Sequence, residues 1–444
     1  MESSGNKVAY GQHHIRCLPK QREALLQFKA AIVDHNGMLS SWTTPDCCQW
    51  EGIRCTNLTA HIISLHLSGQ YNEYFSLGGY YAGSWRYISG EIHKSWNLLK
   101  GLTSNHFGLA MNSLEHLYLS GNVFKGEDLK SFMNICTLRS LYMSRNNMTE
   151  DLSSILYNFS SACVRYSLQE LSLTHNQIRG SLPDLSAFSN LKKLDLFDNQ
   201  LSGKISEGTR LPSHLEQLSI GSNSLEGGVP KSFGSSCTLK LLDLSDNKLS
   251  EDLTVIFNHL SGCSRYSLQE LSLRNNQIKG TVSDLSVFSS LKILDLSDNQ
   301  LSGKIPEGTR LPSHLEQLSV SFNSLEGGVP KSFGSICTLE LLDLTLNKLS
   351  EDLTVIFNHL SGCSRYSLQH LDLSMNQISG TLPSNLATMF PSLKALFLHI
   401  NKLNGTISED LRFPAELEIR MIVRVSCSKD IKKTEERGTL EIDN

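Results

Sequence analysis

The chain has no strong excess of either charge: 40 Lys and Arg stand against 44 Asp and Glu, a formal net of −4. That balance gives no electrostatic case for nucleic acid, whose phosphates call for a basic face. Long apolar runs are also missing. No stretch approaches the ~20 residues that cross a bilayer. The first sixteen residues, Met1 to Arg16, are polar, with none of the apolar core of a secretory leader. Catalytic signatures are absent as well: there is no Gly-rich phosphate loop, no G-x-S-x-G, no H-E-x-x-H and no kinase motif set. Fifteen His are scattered without a partner at metal-ligand spacing. Adjacent carboxylates such as Glu251 and Asp252 recur at Glu351 and Asp352, which suits a solvated turn better than acid/base chemistry. No enzyme, metal site or cofactor is expected.

What is present is a repeat. The skeleton L-x-x-L-x-L-x-x-N opens at Leu114, Leu138, Leu168, Leu191, Leu215, Leu239, Leu268, Leu291, Leu315, Leu339, Leu368 and Leu393. The spacing is 23 to 30 residues, and each frame closes on Asn: 122, 146, 176, 199, 223, 247, 276, 299, 323, 347, 376 and 401. A fixed period of this length is the signature of a leucine-rich-repeat solenoid. Leu at the first, fourth and sixth positions points inward, and only stacking of coils buries that face. The short L-x-L segments then pair as a parallel sheet. Asn, carrying both donor and acceptor groups, bonds the backbone exposed where the chain turns away. The expected fold is α/β: a right-handed leucine-rich-repeat arc with a parallel inner sheet and an N-terminal helical cap stapled by disulfides.

The chain divides into 1–16 (a disordered N-terminus), 17–60 (the cap), 61–113 (degenerate repeats with an insertion), 114–416 (twelve repeats) and 417–444 (a degenerate repeat and charged tail). In the cap, Pro19 opens a helical pattern through Leu25, Leu26, Phe28, Ile32 and Val33, which Asn36-Gly37 ends. A terminal coil leaves an open core edge, so a cap is required. Bridges Cys17–Cys47 and Cys48–Cys55 would staple it; the adjacent Cys47 and Cys48 have the wrong spacing for zinc. Within 61–113, Ile62 to Leu67 reads as a first strand, Ile88 to Ile92 as an L-x-G-x-I element and Leu102 to Phe107 as the end of a repeat. We therefore expect two degenerate coils around a Tyr/Gly-rich insertion at 70–87. Three longer repeats each hold a Cys pair (Cys136/Cys163, Cys237/Cys263, Cys337/Cys363) that either bridges neighbouring coils or is simply buried. Sequons at Asn57, Asn147, Asn158 and Asn404 suit a secreted glycoprotein.

The run from Cys17 through Asp46-Cys-Cys-Gln-Trp50-Glu-Gly-Ile-Arg-Cys55 resembles the N-terminal cap of plant leucine-rich-repeat proteins. Gln21 to Lys29 is similar to that of receptor-like proteins, including ethylene-inducing xylanase receptors. The repeats carry the plant-type L-x-G-x-I-P element, as in Leu301-Ser-Gly-Lys-Ile-Pro306 and Ile378-Ser-Gly-Thr-Leu-Pro383. The resemblance spans about residues 17–416. It implies an extracellular ectodomain at the plasma membrane, a protein or peptide elicitor, defence signalling through a leucine-rich-repeat receptor-kinase partner, and a membrane contact made only by segments beyond this chain. The alternatives it leaves open are a secreted inhibitor resembling polygalacturonase-inhibiting proteins and a developmental receptor-like protein. The polar start and the frame at Leu417, where Val stands for Asn, lead us to expect a truncated or fragmentary gene product.

Residues 166–265 and 266–365 align without a gap and differ at 18 of 100 positions. Nine differences fall on the x positions of the frames, which supply only 20 of the 100. That bias points to diversification of the concave face, where all five x positions are expected to meet solvent. The residue before each closing Asn is mostly polar until the last four coils, which read Phe322, Leu346, Met375 and Ile400. With neighbouring strands about 4.8 Å apart, these make an apolar column, widened by Leu341 and extended by Phe397. Arg274 and Asn275, where the copies differ, complete the candidate ligand-binding set.

Overall fold

The computed structural model describes residues 17–68, 99, 106–404, 412 and 414. The expected disordered start at 1–16, the insertion at 70–87, the element at 88–92 and the degenerate repeat and tail at 417–444 lie outside these residues.

Each of the twelve frames forms one three-residue strand, from His116–Tyr118 to Ala395–Phe397, and consecutive frames pair in parallel. Register keeps the fourth-position leucines side by side, as in Leu271↔Leu294 and Leu294↔Leu318. The leucines of the first, fourth and sixth positions are fully or almost fully buried. Full burial of each is worth about 1.5–3 kcal/mol, which is what holds neighbouring coils together. Two further strands, Ile53–Cys55 and Ile62–His66, complete a fourteen-stranded sheet; their mutual pairing is antiparallel.

The closing asparagines do what their chemistry promised. Asn299 Nδ2 donates to the carbonyls of Leu273 (2.9 Å), Leu296 (3.2 Å) and Ser297 (3.1 Å), and its Oδ1 accepts from Ile278 N–H at 3.0 Å. In all twelve coils the Asn Oδ1 takes a backbone N–H of the preceding coil. Beyond the turn, the L-x-G-x-I elements form two small parallel sheets beside the main one, for example Gln200–Lys204 with Ser224–Gly227.

Repeat length decides the convex side. Three of the longest repeats fit an α-helix each: Leu152–Ser160, Leu253–Leu260 and Leu353–Leu360. Asp151, Asp252 and Asp352 cap them, accepting from the N–H groups of Ser153, Thr254 and Thr354. The neighbouring Glu251 accepts Val229 N–H at 3.2 Å, while His259 Nδ1 donates to Val229 O at 2.7 Å. The carboxylate pairs thus lie at a turn, as expected, with Asp252 exposed, and they also serve as backbone caps. All three cysteine pairs are bridged between adjacent coils, with Cα separations of 5.1, 4.8 and 4.7 Å.

The cap is as expected: a helix over Pro19–Ala31 and bridges Cys17–Cys47 and Cys48–Cys55, with Cα separations of 5.4 and 5.7 Å. Phe28, Trp42 and Trp50 are buried, and Phe28 reaches Phe107 at 5.0 Å, joining cap to solenoid. One expectation fails here. Ile62–His66 pairs directly with His116–Tyr118, so no inner strand can lie between them. Among the described residues, 61–113 therefore supply one strand to the sheet, where two coils would supply two. Phe107 belongs to a short helix, His106–Ala110, and not to the end of a strand frame.

Candidate functional site

The inner face is less open than the repeat pattern implies. Of the five x positions, the fifth and seventh of each frame are partly or wholly covered. Asp343, Ser321 and Ser374 are 0 % exposed, and Asp295 and Ser297 are buried. Coils this close let short polar side chains roof one another, and they satisfy one another as well. Asp295 Oδ1 accepts the N–H (2.9 Å) and hydroxyl (2.5 Å) of Ser297, and Asp343 accepts from Ser319 Oγ at 3.1 Å and Thr345 N–H at 3.0 Å. Along the fifth column Asp and Ser alternate from Asp195 to Ser319, which spaces like charges two strands apart. Burial pushes the carboxyl groups of Asp195, Asp295 and Asp372 above their ordinary value, with a smaller push from the charge of a nearby Asp. At the second position, ion pairs Arg139–Glu115, Lys240–Glu216 and Lys292–Glu316 neutralise the rim; being exposed, they contribute little stability.

The eighth position, just before the closing Asn, behaves differently. In all twelve coils this residue sits in the left-handed region, at φ between 48° and 71°. The sheet enforces it: Phe322 N–H donates to Thr345 O (2.8 Å), Leu346 N–H to Ser374 O (3.0 Å) and Met375 N–H to His399 O (2.8 Å). Left-handed backbone costs an ordinary L-residue about 1–2 kcal/mol, and Gly, Asn and Asp bear it best. Six of the first eight residues here are of tolerant types: Gly121, His175, Asp198, Asp246, Asn275 and Asp298. The last four are Phe322, Leu346, Met375 and Ile400, none of them suited to it. Their strands are consecutive in the sheet, so the expected column is contiguous. Phe322 is 43 % and Ile400 53 % exposed; Leu346 and Met375 are half-buried. Four bulky apolar residues in strained backbone, with two ends open to solvent, are the least economical choice for folding. Strain of this kind gathers at functional sites.

The other candidates divide. Leu341, at the third position, and Phe397, at the fifth of the last strand, are half-buried on the same coils as the column. Arg274 and Asn275 lie two strands upstream of the coil that carries Phe322. There Asn275 Nδ2 donates to Asp246 Oδ1 at 2.7 Å, so Asn275 faces the preceding coil, away from Phe322. Sequence reasoning also missed an aromatic stack at the other end of the face. His66 stacks on Tyr118 (centroids 4.9 Å apart) and Tyr118 on Tyr142 (5.0 Å). The Tyr142 hydroxyl donates to Glu170, and burial with that bond raises its pKa. The signal was available, since all three occupy the fifth position of consecutive strands. Of the sequon residues, Asn57, Asn147 and Asn404 are exposed and Asn158 is half-buried on a convex helix.

The Leucine rich repeat N-terminal domain family matches residues 18–56, and Leucine Rich repeats (2 copies) matches 166–213 and 266–308. Leucine Rich Repeat matches 113–135, 214–236, 314–336 and 367–389. Receptor-like protein EIX2 of Solanum lycopersicum is 29 % identical over 354 residues, covering 65 % of this chain and 34 % of its own. Receptor-like protein EIX1 of the same plant is 28 % identical over 367 residues, covering 67 % and 35 %. The chain thus spans about a third of the length of these curated relatives. Among solved structures, a TDR receptor superposes with TM-score 0.58 at 25 % identity over 70 % of this chain and 51 % of its own. PEPR1, solved with AtPEP1, superposes with TM-score 0.50 at 23 % identity over 92 % and 65 %.

Proposed function

We propose that this chain, a leucine-rich-repeat solenoid with a matching N-terminal cap, is ectodomain sequence of a plant cell-surface receptor-like protein. In this reading it binds a protein or peptide elicitor on its concave face and signals for defence through a partner receptor kinase. The similarity to the two tomato receptor-like proteins supports the class. The observation that carries the binding role is the apolar column in left-handed backbone. A contiguous apolar strip on a surface marks an interface, and here it is kept at a conformational cost that a merely structural position would shed. The carboxylates and hydroxyls beside it, such as Asp295 with Ser297 and Asp343 with Ser319, already satisfy one another, so the column is where desolvation rewards contact most. Glycans at Asn57, Asn147 and Asn404 belong to the same reading. Among the described residues no helix is long and apolar enough to cross a membrane.

The test is a chain carrying Phe322→Ser and Leu346→Ser, secreted from plant cells and assayed for capture of elicitor proteins and receptor-kinase ectodomains. Loss of two contacts worth about 1 kcal/mol each weakens binding about 30-fold. Unchanged capture of both partner types, with an unchanged melting temperature, removes the column from the binding surface.

A further inference from the structure

At the far end of the concave face from the apolar column is an open cleft lined by Gly52, Ile53, Arg54, Ser64, His66 and Tyr118. Its walls are built by the cap. Ile53–Cys55 runs antiparallel to Ile62–His66, so Arg54 and Ser64 stand opposite each other on one face, with His66 two residues along the same face. The arrangement is rigid. Cys55 is bonded to Cys48, and His66 N–H donates to Gly52 O at 2.7 Å. Gly52, at φ +79°, is needed there because a Cβ would lie 2.3 Å from His66 O. The guanidinium of Arg54 is therefore carried on a fixed strand beside an imidazole and a hydroxyl. It has no hydrogen bond or ion pair among the described residues. On the same sheet, Arg139, Lys240 and Lys292 are all engaged by glutamates.

We propose that this cleft is an anion-binding subsite that takes the carboxylates of an acidic peptide segment of a protein partner. A guanidinium fork suits a carboxylate bidentately, and Ser64 and His66 lie within the same cleft to bond it. The alternative bearer of carboxylates, a uronate oligosaccharide, would stack its sugar rings on free aromatic faces. Tyr118 offers none: His66 covers one face and Tyr142, tilted by only 5°, covers the other. What Tyr118 presents is its edge, which suits an extended peptide. The site is separate from the apolar column, so the failure of one leaves the other standing.

The experiment uses the whole chain, secreted with its disulfides formed, and two fluorescein-labelled probes followed by anisotropy at low salt: hexaglutamate and a short oligogalacturonate. Hexaglutamate is expected to bind and to weaken as salt rises. Arg54→Gln is expected to lower its affinity about tenfold or more. Arg54→Lys, which keeps charge but loses the fork, should fall between. Arg139→Gln should change nothing, because that guanidinium already serves Glu115. Absence of hexaglutamate binding overturns the proposal. So does an equal loss in Arg139→Gln, which would mean diffuse charge, or Arg54-dependent binding of the oligogalacturonate alone.

Discussion

The internal duplication provides a direct test of the strain in the apolar column. Leu346 and Asp246 occupy the same position in two copies of nearly identical sequence, both in left-handed backbone at φ 52° and 51°. Changing Leu346 to Asn relieves about 1 kcal/mol of backbone cost. It also forfeits the burial of a half-exposed leucine, about 1 kcal/mol if full burial is worth about 1.5–3 kcal/mol. The two effects nearly cancel, so Leu346→Asn should lie within about 1 kcal/mol of the parent. The reciprocal change, Asp246→Leu, imposes the strain and removes the 2.7 Å bond from Asn275. It should cost about 2 kcal/mol. Leu344, fully buried two residues away, calibrates the scale; Leu344→Ala should cost about 2–5 kcal/mol. A solenoid can open coil by coil, so the readout is native-state hydrogen exchange of amides in the affected and neighbouring coils. If Leu346→Asn costs as much as Leu344→Ala, the column is core. The argument that it is held against folding interest then fails.

Removing one closing asparagine, Asn299→Ala, leaves buried backbone groups without partners and should cost about 1–3 kcal/mol or more, seen as lost protection in the coils on both sides. Leu294→Asp places a charge among buried leucines and should unfold its neighbourhood at a cost of several kcal/mol, detected by limited proteolysis there. Breaking Cys17–Cys47 opens the loop it closes across a 30-residue separation and should cost about 3–4 kcal/mol, so the chain made in a reducing cytosol should melt lower than the secreted one. Burial raises the folded-state pKa of Asp295. The native state therefore holds its proton to higher pH than the unfolded chain, and stability falls as pH rises from the ordinary Asp value of about 3.9 through the raised one. Asp295→Asn should stabilise at neutral pH and lose that advantage below the ordinary value; a pH-independent difference would refute it.

Which parts were legible in advance follows from how local each signal is. The inward leucines, the closing asparagines and the cap helix announce themselves through spacing, because each residue's role is fixed by its own coil. The left-handed eighth position was legible in principle, through Gly121, His175, Asp198 and Asn275, but went unread because the four residues of interest broke that very pattern. Arg274 and Asn275 are candidates because the copies differ there; the bond from Asn275 to Asp246 joins two coils, and no single frame announces it.

The sequence by itself determined the solenoid, the order of its coils and the chemistry of each turn, since a repeating apolar face has only one way to be buried. Only the tertiary structure decided what the stacked coils do to one another. It roofed Asp343 and Ser321 inside a face that the pattern left open, and it joined the three convex cysteine pairs. It also paired Ile62–His66 directly with His116–Tyr118 and set Arg54 beside His66 and Tyr118. The reason is common to all four. Burial, bridging and cleft formation depend on distances between neighbouring coils, and a sequence states those distances only after the chain has stacked.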